Sequence, residues 1–239
     1  MKKGEMLYEG KAKRIFATDD NGLVWVEYKD SATAFNGEKK AEISGKGILN
    51  NKITSLLFSK LHKENIASHF VQQLSDREQL VKKVDIIPLE VVVRNTAAGS
   101  LSKRLGIPEG TPFKKPLVEF YYKDDALGDP LLTEDHIETL ALAEKDEVEL
   151  LKEKALQINS VLIPFFKELG IHLIDFKLEF GKTAENEILL ADEISPDTCR
   201  LWDIETNERL DKDVFRRDLG NLTDAYEKIL TKLGENLHV

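Results

Sequence analysis

The stretch IHLIDFKLEFG (171–181), KTAENE (182–187) and ILLADEISPDTCRLWD (188–203) decides how this chain is read. Its first part alternates. Ile174, Phe176, Leu178 and Phe180 fall on one face of a strand, and Asp175, Lys177 and Glu179 fall on the other. The polar turn from Lys182 to Asn186 then reverses the chain into a second apolar strand, which delivers Asp192 and Glu193. A loop follows with Ser195, Pro196, Asp197 and Arg200. A strand face that runs acid, base, acid makes poor core. It suits the floor of a site for a highly charged ligand.

Two carboxylates on neighbouring strands with a lysine between them suit a hard divalent cation that bridges phosphate oxygens. Magnesium keeps several waters and takes only one or two protein carboxylates. Glu179 and Asp192 are the candidates. Register decides the matter, because a one-residue slip sends Asp192 to the opposite face. If Lys177 lies opposite Asp192, the metal reading holds. A solvated face laced with surface ion pairs fits the same pattern.

Outside this stretch, 239 residues allow one large domain or two modest ones. Hydrophobic residues at 41% and charged residues at 32% match a folded globular protein, not a disordered one. A net charge of −9 argues against sequence-independent nucleic-acid binding, which rests on a basic surface. The start MKKGEMLYEG has no apolar stretch behind its lysines, so it does not read as a signal peptide. The apolar runs are too short to span a bilayer. The single cysteine, Cys199, rules out an internal disulfide and fits a reducing cytosol.

Near the start, EMLYEG, KAKRIFAT and GLVWVEYKD read as strands joined by tight turns. Gly10 admits close backbone approach, and Lys11 and Lys13 share a face if the segment is extended. That arrangement can cradle phosphates, and it can equally be an edge strand decorated with lysines. Residues 30–47 lack a period and predict a long mobile loop. A helix follows with Leu49, Ile53, Leu56, Leu57 and Leu61 inward. In PLEVVVRNTAAGS, Glu90 and Arg94 share one strand face and Leu89, Val91 and Val93 the other. Ser100 predicts an N-cap for a short helix ending near Gly106. Arg94, a glycine and a hydroxyl beside a helix start make an anion site, or ordinary capping with an Arg94–Glu90 ion pair. A long helix from about Asp146 to Leu169 is expected to kink or break at Pro164. A final helix is expected to turn Leu219, Leu222, Tyr226, Ile229 and Leu233 inward.

Two of these stretches, PLEVVVRNTAAGS (88–100) and LIDFKLEFG (173–181), resemble signatures of the SAICAR synthetase family of purine biosynthesis. LYEGKAKRIF, SGKGILNNKI, RLGIPEG, DDALGDP, DEISPDTCRLWD and DKDVFRRDLG extend the resemblance, in order, over nearly the whole chain. It implies an α+β fold in two lobes, related to protein kinases and ATP-grasp enzymes. An N-terminal antiparallel-sheet lobe, residues 1–84, would bind ATP, and a larger α/β lobe, residues 85–239, would bind substrate and metal. The implied reaction joins the carboxylate of carboxyaminoimidazole ribonucleotide (CAIR) to the amine of L-aspartate. ATP is consumed, and SAICAR, ADP and phosphate form by way of an acyl phosphate. Phosphoryl transfer of this kind needs positioning and charge neutralisation more than a protein nucleophile.

Residue by residue, the resemblance implies Gly10, Lys11, Ala12 and Lys13 at the ATP phosphates, and Lys82 with the backbone to Ile87 near adenine. Glu179 and Asp192 would hold Mg2+. Arg94, Ser100 and Arg200 would bind the phosphate and carboxylate of the nucleotide substrate. Lys177 and Asp197 would sit at its reacting end, with Asp175 beside them. A homodimer or larger assembly in the cytoplasm is implied, with no nucleic-acid or membrane partner. The chain departs from many family members at Asn36, where they carry aspartate. The L-aspartate site is accordingly placed only around Lys39, Lys40 and residues 195–200. Two other classes share part of the pattern. A small-molecule kinase would release a stable phosphorylated product, and a nucleotide-sensing module would bind ATP without turnover.

Overall fold

The computed structural model describes residues 1–237. Three antiparallel strands open the chain, β1 (Lys3–Glu9), β2 (Lys13–Thr18) and β3 (Leu23–Tyr28). A small hairpin of β4 (Ser31–Ala34) and β5 (Lys39–Glu42) leads into α1 (Lys46–Lys63). Strands β6 (Phe70–Gln73) and β7 (Glu78–Lys82) complete the first sheet, in the order β1-β2-β3-β7-β6. The chain then crosses into β8 (Asp85–Thr96), α2 (Gly99–Leu105), β9 (Pro112–Tyr122), β10 (Leu131–Leu132) and α3 (Glu134–Thr139). The long α4 (Lys145–Glu168) precedes β11 (Ile171–Lys182), β12 (Ile188–Ala191) and β13 (Cys199–Asp203). The short α5 (Asp213–Arg216) and α6 (Leu222–Leu237) close the chain. The second sheet runs β10-β9-β8-β11-β12, with β13 also paired to β11. This is a mixed α/β fold built on antiparallel sheets.

The two faces of the second sheet do different work. Leu89, Val91 and Val93 of β8 and Phe176, Leu178 and Phe180 of β11 point into the main core. There they meet Ile53, Leu57 and Leu61 of α1, Leu151, Ile158 and Leu162 of α4, and Tyr226, Ile229 and Leu233 of α6. Burying each such side chain is worth about 1.5–3 kcal/mol. Helix α1 is therefore anchored on the second sheet's core. The opposite face, with Glu90 and Arg94 on β8 and Asp175, Lys177 and Glu179 on β11, is left for chemistry. A smaller cluster of Val24, Val26, Tyr28 and Val81 with Ile15 holds the first sheet together.

Several expectations change. Ile174 leaves the core face: a register irregularity between Leu173 and Asp175 turns it against Ala98 and Trp202. Residues 30–47 are not a long loop, because β4 and β5 pair from Ser31–Glu42 to Ala34–Lys39. Small residues hid this short hairpin. The N-cap of α2 is Ala98, with no side-chain cap, and Ser100 lies exposed in the first turn. Helix α4 passes through Pro164 as one element, its stripe of Leu151, Ala155, Ile158 and Leu162 fully buried. The final helix starts only at Leu222, and Leu219 is 56% exposed in the turn before it.

β11 pairs with β12 along one half of an edge and with β13 along the other half. At the break between them, the Lys177 N–H donates to Thr198 O at 2.8 Å. The loop carrying Asp192 to Asp197 leaves through this break, so Asp192 comes within 3.5 Å of Lys177. At the far end of β11, the crossover between the sheets packs on Gly181. A methyl there would lie 2.5 Å from Val84 Cγ2 and 3.2 Å from Asp85 O. Gly181→Ala is expected to destabilise the fold by about 1–3 kcal/mol through overpacking, read as a lowered urea midpoint. An unchanged midpoint would mean that Val84 moves aside freely.

Candidate active site

Below the crossover from β7 to β8 lies a cleft of about 390 Å³, walled by Leu7, Ile15, Val24, Val26, Val81 and Ile86. Lys82 belongs to its rim, and Lys13, Lys123, Glu179 and Asp192 line it as well. The same four charged residues line a neighbouring hollow of about 420 Å³, with Gly10, Lys11 and Ala12. Glu90, Lys177, Asp197 and Arg216 connect that hollow to a third of about 350 Å³, which contains Arg94, Ser100, Asp175 and Arg200. The residues singled out from the sequence for ATP, metal and nucleotide-substrate roles thus border one connected depression, whereas Lys39 and Lys40, assigned to L-aspartate, line none of the three hollows.

At its centre, Lys177 Nζ donates to Glu179 and lies 3.3 Å from Glu90 Oε1 and 3.5 Å from Asp192 Oδ2. Glu179 and Glu90 face each other across the β11–β8 ladder, a pairing of like charges that is unfavourable unless cations intervene. Lys177 does so, and Lys123 Nζ adds a bond to Glu179 Oε1 at 2.9 Å. Lys13 Nζ donates to Asp192 and lies 3.0 Å from Glu193 Oε1.

Burial would raise the Asp192 carboxyl, but Lys13 and Lys177 outweigh it and hold the group well below the usual range. Burial likewise opposes charge on Lys13, yet Asp192 and Glu193 push it well above the ordinary lysine value. Lys177 is raised against burial by Glu179 and Asp192. Glu90 goes the other way: burial lifts it, and Lys177 offsets only part.

The position of Asp192 does not follow from strand alternation. Glu179 pairs with Ala191, so a regular strand would set Asp192 opposite Leu178, on the core side. Lys177 is therefore not its register partner, contrary to the condition set from the sequence. Instead Asp192 adopts φ +57, and this left-handed residue returns its carboxylate to Lys13 and Lys177. Aspartate tolerates that conformation better than most residues.

On the other side, Arg94 Nη1 donates to Asp175 Oδ2 at 2.7 Å and its Nε donates to Glu119 Oε2 at 2.6 Å. Arg94 thus pairs with Glu119 and Asp175 in place of the expected Glu90. Arg200, on β13 and not in the loop, donates from Nη1 to Asp175 Oδ2 at 2.8 Å. Asp197 Oδ1 accepts from Tyr226 Oη at 2.5 Å, and Oδ2 lies 2.7 Å from Lys46 Nζ, within ion-pair range though off hydrogen-bond alignment. Burial would raise the Asp197 carboxyl, but Lys212 and Lys46 keep it far below its ordinary value. Cys199 is buried, and burial pushes its thiol up, which excludes a thiolate nucleophile.

Lys11 does not share a strand face with Lys13. It sits in the turn before β2, and its Nζ donates to Asp125 Oδ1 at 2.6 Å. Lys39 leaves the first sheet's side and donates to Phe215 O at 2.7 Å and Asp218 Oδ1 at 2.5 Å. The sequence reasoning missed Lys46, Lys123, Lys212, Arg216 and Tyr226, which arrive from distant elements. The one local signal was the charge density of DKDVFRR (211–217), which carries Lys212 and Arg216.

Among the described residues, no three His, Cys, Asp or Glu side chains are grouped to hold a metal unaided. Glu179 and Asp192, linked through Lys177, fit a cation that takes one or two carboxylates and fills its sphere with water and phosphate.

A surface with an apolar slot at one end, lysines beside carboxylates at the centre and arginines at the other end has the chemistry to take a nucleotide triphosphate beside a second anionic reactant. It defines an ATP-using synthetase of mixed α/β architecture. The family model of SAICAR synthetase matches residues 6–233. A Bacillus cytotoxicus protein named phosphoribosylaminoimidazole-succinocarboxamide synthase is 68% identical over 239 residues, covering all of both chains. The crystal structure of a synthase of that name from Ehrlichia chaffeensis superposes with TM-score 0.94 at 53% identity, covering 96% of this chain and 98% of that one. A SAICAR synthetase solved in complex with ADP gives TM-score 0.92 at 48% identity, covering 96% and 97%. The chain belongs to the SAICAR synthetase family, ligases that convert CAIR and aspartate to SAICAR in purine biosynthesis.

His69 lines the apolar cleft, and burial together with the Lys13 charge lowers it to about 4 from 6.5. The folded state then resists protonation that the unfolded chain accepts, so stability falls as pH drops from 6.5 towards 4. The shift corresponds to about 3 kcal/mol at full extent. In urea titrations across that window, His69→Gln should lose this part of the pH dependence. Parallel curves for both proteins would show that His69 is not the group responsible.

Proposed function

We propose that ATP lies between the two sheets, its adenine in the apolar cleft against the crossover from Lys82 to Ile87. Its phosphates then reach Gly10, Lys11, Ala12 and Lys13. The observation that carries this assignment is the Lys13–Asp192–Lys177–Glu179 array, set where the apolar cleft meets the arginine-lined hollow. Residues 1–84 and 85–239 act on this view as an ATP-binding lobe and a substrate-binding lobe, in the manner of kinases and ATP-grasp enzymes. Glu179 and Asp192 would hold Mg2+, which when bound neutralises phosphate charge.

Arg94, Ser100 and Arg200 bind the phosphate and carboxylate of CAIR, and Lys177 and Asp197 flank its reacting carboxylate. Asp175, bonded to both Arg94 and Arg200, serves by fixing those arginines. A CAIR carboxylate oxygen attacks the γ-phosphorus, and the bond to the ADP oxygen breaks. The acyl phosphate is then attacked at carbon by the L-aspartate amine. The C–N bond forms, phosphate leaves with the C–O electron pair, and the ammonium proton passes to solvent or phosphate. Lys13 and Lys177 stay charged throughout, because the carboxylates around them raise their basicity. L-aspartate enters near Lys39, Lys40 and residues 195–200. The family resemblance and the lone cysteine support a homodimer or larger assembly in the cytoplasm.

ADP release should require Mg-ATP, CAIR and L-aspartate together and should match SAICAR formed. Equal ADP release without aspartate would make the protein a kinase instead, and tight ATP binding without turnover would make it a sensor. Glu179→Gln and Asp192→Asn should each lower kcat by about 10²- to 10³-fold and raise the Mg2+ concentration needed, with the fold intact by circular dichroism. Wild-type rates in either variant would remove the metal assignment.

A further inference from the structure

Arg200 rests in a seat whose parts come from three separate segments. Gly99, with φ +57, forms one wall: a Cβ built there would lie 2.3 Å from Arg200 Nη2 and 2.7 Å from Cζ. The guanidinium thus fills the space that any other residue at 99 would need. Asp175 accepts from Nη1 at 2.8 Å, and Asp213 Oδ2 accepts from Nε at 3.1 Å. Asp213 is 1% exposed and borders none of the three hollows, so it touches no ligand there. Its other oxygen accepts from Arg216 Nη1 at 2.7 Å. Carboxylates and guanidiniums therefore alternate as Arg94, Asp175, Arg200, Asp213, Arg216, and all three arginines border the anion hollow.

The donors of Arg200 are not equivalent. Nε and Nη1 are committed to Asp213 and Asp175, whereas Nη2 has no acceptor among the described residues. Nη2 is also the atom held against Gly99, next to Ser100. An arginine loses much rotamer freedom on binding unless the protein has already fixed it. Here two carboxylates and a bare Cα fix it before any ligand arrives.

We infer that Gly99 and Asp213 are positioning residues that together present Arg200 Nη2 to the phosphate of the nucleotide substrate. This rests on the assignment of Arg200 to CAIR made above. A methyl at position 99 displaces the guanidinium from its seat. An amide at position 213 keeps the size but removes the charge that orients Arg200 and Arg216.

The test is steady-state kinetics on the full-length enzyme with Mg-ATP and L-aspartate saturating, alongside thermal melts. Gly99→Ala and Asp213→Asn should each raise KM for CAIR by about tenfold or more, as loss of an oriented charged contact does. KM for ATP should stay near wild type, and Ki for inorganic phosphate against CAIR should rise by the same factor as KM. In an Arg200→Ala background, Gly99→Ala should add less than about threefold, because the residue it orients is gone, and Asp213→Asn should lose the larger part of its effect, keeping only what passes through Arg216. An undiminished effect in that background would overturn the inference, as would an equal rise in KM for ATP. A phosphate Ki that does not move would overturn it too. If Arg200→Ala alone leaves KM for CAIR unchanged, the substrate assignment itself falls, and this inference with it. Should Gly99→Ala fail to fold, Asp213→Asn alone decides the question.

Discussion

A partly buried lysine among three carboxylates governs the rest of this molecule. Lys177 touches Glu90, Glu179 and Asp192, which come from two adjacent strands and the end of a third. Removing such charges from water is expensive unless each is matched by neighbours of opposite sign. The chain meets that demand with cations from distant segments, Lys13 from β2 and Lys123 after β9. Satisfying one strand face therefore draws the first sheet, the crossover and the 192–197 loop towards one point. The stability that permits this comes from the other face of the same strands, where Phe176, Leu178 and Phe180 are sealed by three helices.

Within the array, lysines neutralise carboxylates that would otherwise repel one another. On the proposed assignment, the same lysines would turn to phosphate oxygens and the same carboxylates to the metal, without a rearrangement of the fold. Charge is exchanged between partners instead of being stripped of partners, so the low-dielectric setting strengthens contacts and leaves none orphaned. The arginine side follows the same rule. Arg94 and Arg200 share Asp175, and Arg200 and Arg216 share Asp213, so no guanidinium waits unpaired.

The alternation of residues 175–180 was legible because a strand buried on one face must repeat with period two. The apolar stripes of α1 and α4 were legible for the corresponding helical reason. Alternation failed at Ile174, where an irregular register inserts a residue that no pattern announces. It failed again at Asp192, where one left-handed residue reverses the expected face. The 30–47 segment misled because Ala, Ser and Thr in strands of four residues carry too little hydrophobic contrast to reveal a pair. Leu219 misled because the helical spacing extends back across the turn that precedes the helix.

By itself the sequence determined the family, the charged strand face, the helical core and the residue types that phosphate chemistry needs. Those properties are local: periodicity and motif reside in neighbouring residues, and nearby side chains specify them. The tertiary structure alone decided which charges meet. Lys46, Lys123, Lys212, Arg216 and Tyr226 reach the site from segments with no sequence relation to one another. Only sheet pairing and helix packing bring them within a few ångströms, where Coulomb attraction can act.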